Sequence, residues 1–259
     1  MSTPVAGGLN ARGITVRAGT RELVRELSLR LLPGEVLAIL GRNGSGKTLT
    51  LHTLAGLRRA AAGEVTFDGT PLGALTRRAV AQRLALLPQD LEDAFVTTAL
   101  ETVLIGRHPH LALWQWETAE DERIARRALA AVEMSEFAQR RSDTLSGGEQ
   151  RRVAVAALIA QQVKTYLLDE PTNHLDPHHQ LAVLTLFRDL AGEGSTVVTT
   201  LHDPTLAARF ADRALLLFGD GRWHLGPVRT ALTAATLSEL YLAPMIELGQ
   251  DGRRVFVTA

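Results

Sequence analysis

The chain of 259 residues has no cysteine. That excludes a disulfide framework, a thiolate metal site and thiol redox chemistry, and it fits a cytoplasmic setting. Net charge is also missing: 28 basic residues stand against 28 acidic ones, which excludes a generally basic nucleic-acid binder, so no nucleic-acid partner is expected. Lysine is nearly absent. Only Lys47 and Lys164 are lysines, and every other basic residue is an arginine, so each lysine is worth testing for a chemical reason. Long apolar runs are lacking too. The best, Val153 to Ala160, has eight residues, against the roughly 18 to 20 that cross a bilayer, so no membrane-spanning helix is expected. Met1 to Asn10 has neither a basic start nor an apolar stretch, and no secretory signal is expected. At 46% hydrophobic and 22% charged, what remains is ordinary globular usage with enough length for a sizeable core.

Short apolar runs ending in turns recur at Val36 to Leu40, Leu84 to Leu87, Tyr166 to Leu168, Val197 to Leu201 and Ala214 to Phe218. Each is too short for a core helix and reads as a buried strand. Helical patterns lie between them, at Lys47 to Ala55, Glu120 to Val132, Glu149 to Gln162 and His178 to Leu190. The alternation predicts an α/β fold with a mostly parallel sheet. Thr118 and Asp121 have capping-box spacing before a helix whose apolar face holds Ile124, Ala128, Leu129 and Val132. We expect one nucleotide-binding unit over 1–259. Its core covers 1–90 and 163–225 and begins with antiparallel strands, a helical subdomain is inserted at 91–162, and a tail at 226–259 ends in a hairpin around Asp251-Gly252.

Gly41-Arg42-Asn43-Gly44-Ser45-Gly46-Lys47-Thr48 matches G-x-x-x-x-G-K-S/T directly after an apolar strand and directly before a helix. In such a loop, glycines let successive N–H groups converge on phosphate oxygens, and the helix adds the positive end of its dipole. Lys47 brings a compact point charge to the β and γ phosphates, where arginine's planar fork has the wrong shape. Thr48 offers a hydroxyl to Mg²⁺, and Thr50 lies in the first turn behind it. Tyr166-Leu167-Leu168-Asp169-Glu170 places two acids where an apolar strand ends, on the side of an open α/β sheet that binds ligands. Asp169 is the candidate metal carboxylate, and Glu170 the candidate base for an attacking water.

Leu145-Ser146-Gly147-Gly148-Glu149-Gln150 opens another helix, with Ser146 and Glu149 at capping-box spacing. Two glycines in a first turn weaken a helix by roughly 1 kcal/mol each relative to alanine, so something is expected to approach that backbone closely. A helix start with bare N–H groups and a hydroxyl attracts an anion, here a γ-phosphate. The chain has one phosphate cradle, so that phosphate is expected from a second copy.

With these pieces in order, the chain resembles the ATP-binding cassette ATPases. GRNGSGKT stands as phosphate loop, Gln89 as the Q-loop, LSGGEQ as signature, TYLLDE as the metal and base strand, Asn173-His174-Leu175-Asp176 as the D-loop, and His202 as the switch histidine. The resemblance implies a P-loop NTPase core and a head-to-tail dimer holding ATP and Mg²⁺. Nucleotide on one phosphate loop would meet Ser146, Gly147, Gly148 and Gln150 of the other copy. It further implies that Gln89 touches the metal and the attacking water, that His202 holds the γ-phosphate and the Glu170 side, and that Asp176 organises the dimer contact. Members usually stack adenine on an aromatic residue near the position of Ala18. None is present, and Arg17 or Arg21 is left to offer a guanidinium face.

Three uses of such an ATPase compete: the motor of an importer, the motor of an exporter, and a soluble role in repair, translation or cofactor assembly. Only 96 residues separate Thr48 from Leu145, which excludes the long coiled coils of repair members. Translation members are disfavoured by the single cassette and the zero net charge. The run Thr102 to His110, with Trp114 and Trp116, looks similar to importers of metal chelates such as ferric siderophores, haem or cobalamin. An alternative is that Leu111, Leu113, Trp114 and Trp116 merely close the helical subdomain. The importer reading implies an integral membrane permease, a periplasmic or extracellular binding protein acting through it, and a place on the cytoplasmic face of the membrane. His108, His110, His178 and His179 show no acidic or cysteine partner at ligand spacing, so no metal site is expected at them. Lys164 is expected on the surface.

Overall fold

The computed structural model describes residues 8–90, 97–112, 114–250 and 253–259. Two long strands, β1 (Leu9–Ala18) and β2 (Arg21–Arg30), open it. The wholly buried β3 (Val36–Leu40) leads through the phosphate loop into α1 (Lys47–Leu54). β4 (Ala62–Phe67), β5 (Thr70–Pro71), α2 (Arg77–Ala81) and β6 (Leu84–Leu87) follow. Next come α3 (Ala99–Ile105), α4 (Ala119–Ala131) and α5 (Gly147–Ala160), with no strand among the described residues between β6 and β7 (Thr165–Leu168). Alternation then resumes with α6 (Pro177–Gly192), β8 (Thr196–Thr200), α7 (Pro204–Phe210) and β9 (Arg213–Leu217). The chain ends in β10 (Trp223–Pro227), α8 (Val228–Ala231), α9 (Ala234–Tyr241) and the hairpin β11 (Met245–Gln250) and β12 (Arg253–Thr258). Asp251-Gly252, read as its turn, lies outside the described residues.

The central sheet has the order β10-β9-β3-β8-β7-β6, parallel throughout except for β10, which runs antiparallel on the β9 edge. The five apolar runs of the sequence are its five parallel strands, with ends shifted by at most one residue. A second, antiparallel sheet has the order β2-β1-β4-β5 and packs Leu9, Ile14, Leu27 and Leu31 over Leu37, Ile39 and Leu51. β4 escaped the sequence reading because its first three residues are exposed and only its end turns inward.

Helices α3, α4 and α5 share one apolar core with β7 and α6, where Val103, Leu129 and Val155 meet Tyr166 and Phe187. The stripe expected on α4 is buried, and Thr118 and Asp121 form the expected capping box. Asp121 also takes a buried hydrogen-bonded ion pair from Arg107 Nε at 2.9 Å, while Arg107 Nη1 donates to the Ala160 carbonyl at 2.7 Å and to Gln162 Oε1 at 3.0 Å. The Thr118 hydroxyl first, then the Thr118 amide and Arg107, hold the Asp121 carboxyl at about 2 against the desolvation that opposes them. Gly106, next to Arg107, has no room for a side chain, since a Cβ there would lie 2.1 Å from the Ala157 carbonyl oxygen. Gly106 and Arg107 therefore hold the helical layer together from within. No helix among the described residues is long and apolar enough to cross a membrane.

Candidate active site

Parallel strands bring their carboxyl ends to one edge, and that edge collects the chemistry. The phosphate loop follows β3, His202 follows β8, Asp169 and Glu170 follow β7, and Gln89 follows β6, in the spatial order β3-β8-β7-β6.

The loop is partly sunk into the protein. Arg42, Asn43 and Gly44 are exposed, while Gly41, Ser45, Gly46 and Lys47 are buried. Gly46 caps α1 with φ 102°, the left-handed region that favours glycine, and a Cβ there would press on the Leu23 side chain at 3.1 Å. Lys47 Nζ donates to the Gly41 carbonyl at 3.0 Å. Burial pulls its pKa below the ordinary lysine range, and the nearby Glu170 and Asp169 oppose that pull. Thr50 is fully buried one turn on, its hydroxyl without a protein partner.

Asp169 is fully buried. Its Oδ1 accepts from the Thr200 hydroxyl at 2.7 Å, whereas Oδ2 is buried with no protein partner. A carboxylate oxygen held in that way is costly unless a cation or water completes it, so the donor set fits a hydrated hard cation. Ser45 Oγ, in the loop, is unpartnered in the same way. Thr48 Oγ1 lies 3.5 Å from Gln89 Oε1, joining the loop to the residue after β6. Glu170 is buried with a left-handed φ of 48°. Its Oε1 meets His202 Nε2 at 2.5 Å, its Oε2 accepts from Asn173 Nδ2 at 2.5 Å, and its amide donates to Thr200 Oγ1 at 2.8 Å. The carboxylate is aimed and held rather than free to turn.

A cleft of about 350 Å³ is lined by Ala18, Arg21, Lys47, Thr48, Gln89 and Glu170 among others, and Asp169 and His202 stand outside its lining. Ala18 thus sits beside the loop, where the base position was expected. Arg21 lines the cleft with its guanidinium tied to the Gly219 carbonyl at 2.7 Å, while Arg17 pairs with Glu22. A larger cavity of about 750 Å³ lies between α7 and the terminal hairpin. It contains none of these residues, so the smaller cleft is the chemical one.

The signature sits at the start of α5, where Ser146 Oγ accepts from the Glu149 amide and Glu149 Oε2 accepts from the Ser146 amide. Gln150 Nε2 donates to the Ser142 carbonyl at 3.1 Å. The close approach expected at the two glycines is partly made inside the chain. A Cβ on Gly148 would lie 3.0 Å from the His174 carbonyl, whereas one on Gly147 would meet only the His174 Cβ, at 3.9 Å. Gly148 is needed for packing against the D-loop, and Gly147 remains open. Asp176 caps α6, accepting from the His179 amide at 2.9 Å and facing His179 Nδ1 at 2.9 Å.

Arg151 is the residue that the sequence reading missed. It is 2% exposed and fans into backbone carbonyls: Pro88 at 2.6 Å, Gln89 at 3.2 Å, Asp169 at 2.5 Å, Glu170 at 2.8 Å and Pro171 at 3.4 Å. One guanidinium from the signature helix thereby pins the Q-loop and the metal and base strand. The available signal was an arginine on the apolar stripe that continues through Val155 and Leu158.

A second correction concerns histidine. Folding brings Glu133, 45 positions upstream, to 3.9 Å from both His178 and His179, so an acidic partner absent at sequence spacing is present in space. Trp114 and Trp116 are 93% and 82% exposed and close no core, and Leu113 lies outside the described residues. Lys164 is exposed, as expected.

A phosphate loop, a buried carboxylate with an unpartnered oxygen and a held glutamate–histidine pair at one edge of a parallel sheet define a P-loop nucleoside triphosphatase. Comparison makes the class specific. Residues 24–173 match the ABC transporter family model. The hemin import ATP-binding protein HmuV of Gloeobacter violaceus is 44% identical over 83% of this chain and 79% of its own length. The cobalamin import ATP-binding protein BtuD of Halobacterium salinarum is 37% identical over 94% of this chain and 61% of its own. Among solved structures, a metal-chelate type ABC transporter in an inward-facing conformation aligns with a TM-score of 0.85 at 29% identity, covering 98% of each chain. A dimeric cassette bound to ADP and phosphate aligns with a TM-score of 0.74 at 27% identity, covering 85% of this chain and 99% of its own. The chain belongs to the ABC transporter family, as an ATPase cassette.

Proposed function

We propose that the chain is the ATP-hydrolysing subunit of a membrane importer for a metal chelate of the hemin or cobalamin class. The observation that carries the ATPase part is the convergence of Lys47, Asp169 and the Glu170–His202 pair at one edge of the sheet. The importer part is supported by the relatives named for hemin and cobalamin import. Trp114, Trp116 and the 52% exposed Ile105 are large apolar groups left in solvent, which suits a protein partner. We assign that partner as an integral membrane permease that holds this chain at the cytoplasmic face and receives cargo from an external binding protein.

The backbone of Gly41 to Thr48 holds the phosphates of ATP, and Lys47 exchanges its bond to the Gly41 carbonyl for the β and γ oxygens. Thr48 Oγ1, Gln89 Oε1 and Asp169 Oδ2 are the groups that would hold Mg²⁺, which when bound neutralises charge on the β and γ phosphates. Glu170 orients and deprotonates the attacking water. Each of its oxygens accepts one bond here, Oε1 from His202 and Oε2 from Asn173, and keeps a second lone pair for the water. His202 then turns toward the γ-phosphate. A second copy closes the site head-to-tail, placing Ser146, Gly147, Gly148 and Gln150 on the far side of the nucleotide, with Asp176 at the contact. Closure moves the helical subdomain 91–162 and, through it, the permease.

Affinity purification of the chain from its own membranes should bring down a many-span protein, and Lys47→Ala in that complex should abolish both ATP hydrolysis and hemin or cobalamin uptake. Recovery without a membrane partner, or turnover by Lys47→Ala at the wild-type rate, would overturn the reading.

A further inference from the structure

We propose that Glu133, His178 and His179 form a site for one divalent transition-metal ion of the zinc class, bridging the end of α4 to the first turn of α6. One ligand atom from each of the three lies within 4.8 Å of the other two. Glu133 Oε1 is 3.9 Å from His178 Nε2, and its Oε2 is 3.9 Å from His179 Nε2. Ligands of a tetrahedral zinc ion are about 3.3 to 3.5 Å apart, given metal–ligand bonds near 2.0 to 2.2 Å. The gap is therefore small, and His178 and Glu133 can close it by rotation because their side chains are 73% and 63% exposed. Two imidazoles and one carboxylate form a donor set suited to zinc, copper or nickel rather than magnesium or calcium, and three protein ligands leave a fourth position for water.

A separate observation supports the site. His179 Nδ1 faces Asp176 Oδ2 at 2.9 Å, so the ring donates there and its Nε2 lone pair is directed to the Glu133 side. Metal-ligating histidines are ordinarily oriented by a carboxylate in this way. Glu133 is itself positioned by the turn that ends α4, with φ 57°, and by Arg152 Nη1, which donates to the Val132 and Glu133 carbonyls at 3.2 and 3.3 Å and leaves the carboxylate free to bind. His178 and His179 stand nearly perpendicular, with ring centroids 5.1 Å apart. By contrast, among the described residues His108 meets Glu117, and His110 the Gln161 carbonyl.

The placement gives the ion a structural consequence. α4 belongs to the helical layer and α6 starts immediately after Asp176, so an occupied site bonds that layer to the D-loop. Only this consequence rests on the dimer mechanism above. Metal binding does not, and its test needs no nucleotide.

The test uses the full chain without an affinity tag and without ATP. Titration calorimetry with zinc chloride should give one ion per chain, and cobalt(II) as probe should give the strong visible absorption of a four-coordinate ion. Glu133→Ala and His178→Ala should each weaken zinc binding by about tenfold or more. Asp176→Asn, which keeps an oxygen for the α6 cap and removes the carboxylate that faces His179 Nδ1, should weaken it by roughly 10 to 100-fold. His108→Ala should change nothing. Zinc should raise the unfolding temperature of the wild type and not that of Glu133→Ala, with circular dichroism showing both folded. Absence of zinc binding, unchanged affinity in Glu133→Ala, or the weak spectrum of six-coordinate cobalt would overturn the proposal.

Discussion

Replacing Arg151 with methionine keeps the stem of the side chain and removes the guanidinium, leaving the carbonyls of Pro88, Gln89, Asp169 and Glu170 without their donor. Two effects oppose each other. Burial, partly offset by Asp169 and Glu170, pulls the Arg151 pKa from 12.5 down to about 10, which at about 1.4 kcal/mol per unit makes the buried charge cost about 3 kcal/mol. Methionine escapes that cost. Against it stand four charge-assisted hydrogen bonds of 3.2 Å or less, each worth about 1.5 to 2 kcal/mol. The bonds win, and R151M should destabilise the chain by about 4 kcal/mol, or roughly 10 °C in Tm for a chain of this size. Turnover should fall further than stability requires, because the same carbonyls fix the backbone of Asp169 and Glu170. Chemical denaturation and ATP hydrolysis on one preparation measure both effects. The control is R152M, whose half-exposed arginine makes two bonds at 3.2 and 3.3 Å that water can replace, and should cost under about 1 kcal/mol. An R151M chain within about 1 kcal/mol of wild type, or with wild-type kcat, would refute the reasoning.

Glu170→Gln should keep ATP bound and accumulate a closed dimer visible by size-exclusion chromatography, and wild-type turnover would remove Glu170 as base. Asp121 sets an acid limit on stability. Its folded pKa of about 2 lies below the ordinary 3.8, so its contribution is complete above pH 4 and fades as pH falls toward 2. That contribution is about 2 kcal/mol at neutral pH. Asp121→Asn should flatten acid unfolding in that window, and an unchanged acid limb would count against the Thr118 and Arg107 bonds as its cause. With Ala18 in the cleft and no aromatic ring among its described lining residues, competition binding should separate ATP from GTP by less than about tenfold. A strong adenine preference would show that another group reads the base.

The parallel core was legible because each of its strands is a buried apolar run bounded by turns, and the phosphate loop was legible because its glycines and Lys47 have few other uses at that spacing. Asp169 and Glu170 could be placed from position alone, at the carboxyl end of a strand. What stayed hidden depends on contacts between distant segments. β4 carries little hydrophobic signal because it is half exposed. Arg151 reads as one more charge on a helix until the carbonyls of β6 and β7 are folded around it. Arg107, within the run Thr102 to His110 that carried the importer resemblance, is an internal tie between α4 and α5. The glycines of the signature were read as room for a ligand, yet Gly148 gives its room to the His174 carbonyl.

That last contact joins two parts of the site which the motifs treat separately. The signature start and the D-loop touch at Gly148 and His174, and one turn further along α5 Arg151 grips the backbone of Gln89, Asp169 and Glu170. Ser146 and Arg151 lie on one helix, so a tilt of its start would pull on the carbonyls of Gln89, Asp169 and Glu170. Asn173 and His202 hold the Glu170 carboxylate while Arg151 holds its main chain, and the two grips come from different segments. Moving α5 relative to β8 would therefore strain the Glu170–His202 bond. Hydrogen bonds within one chain thus join the signature helix to the backbone that carries Glu170, whose carboxylate His202 and Asn173 hold.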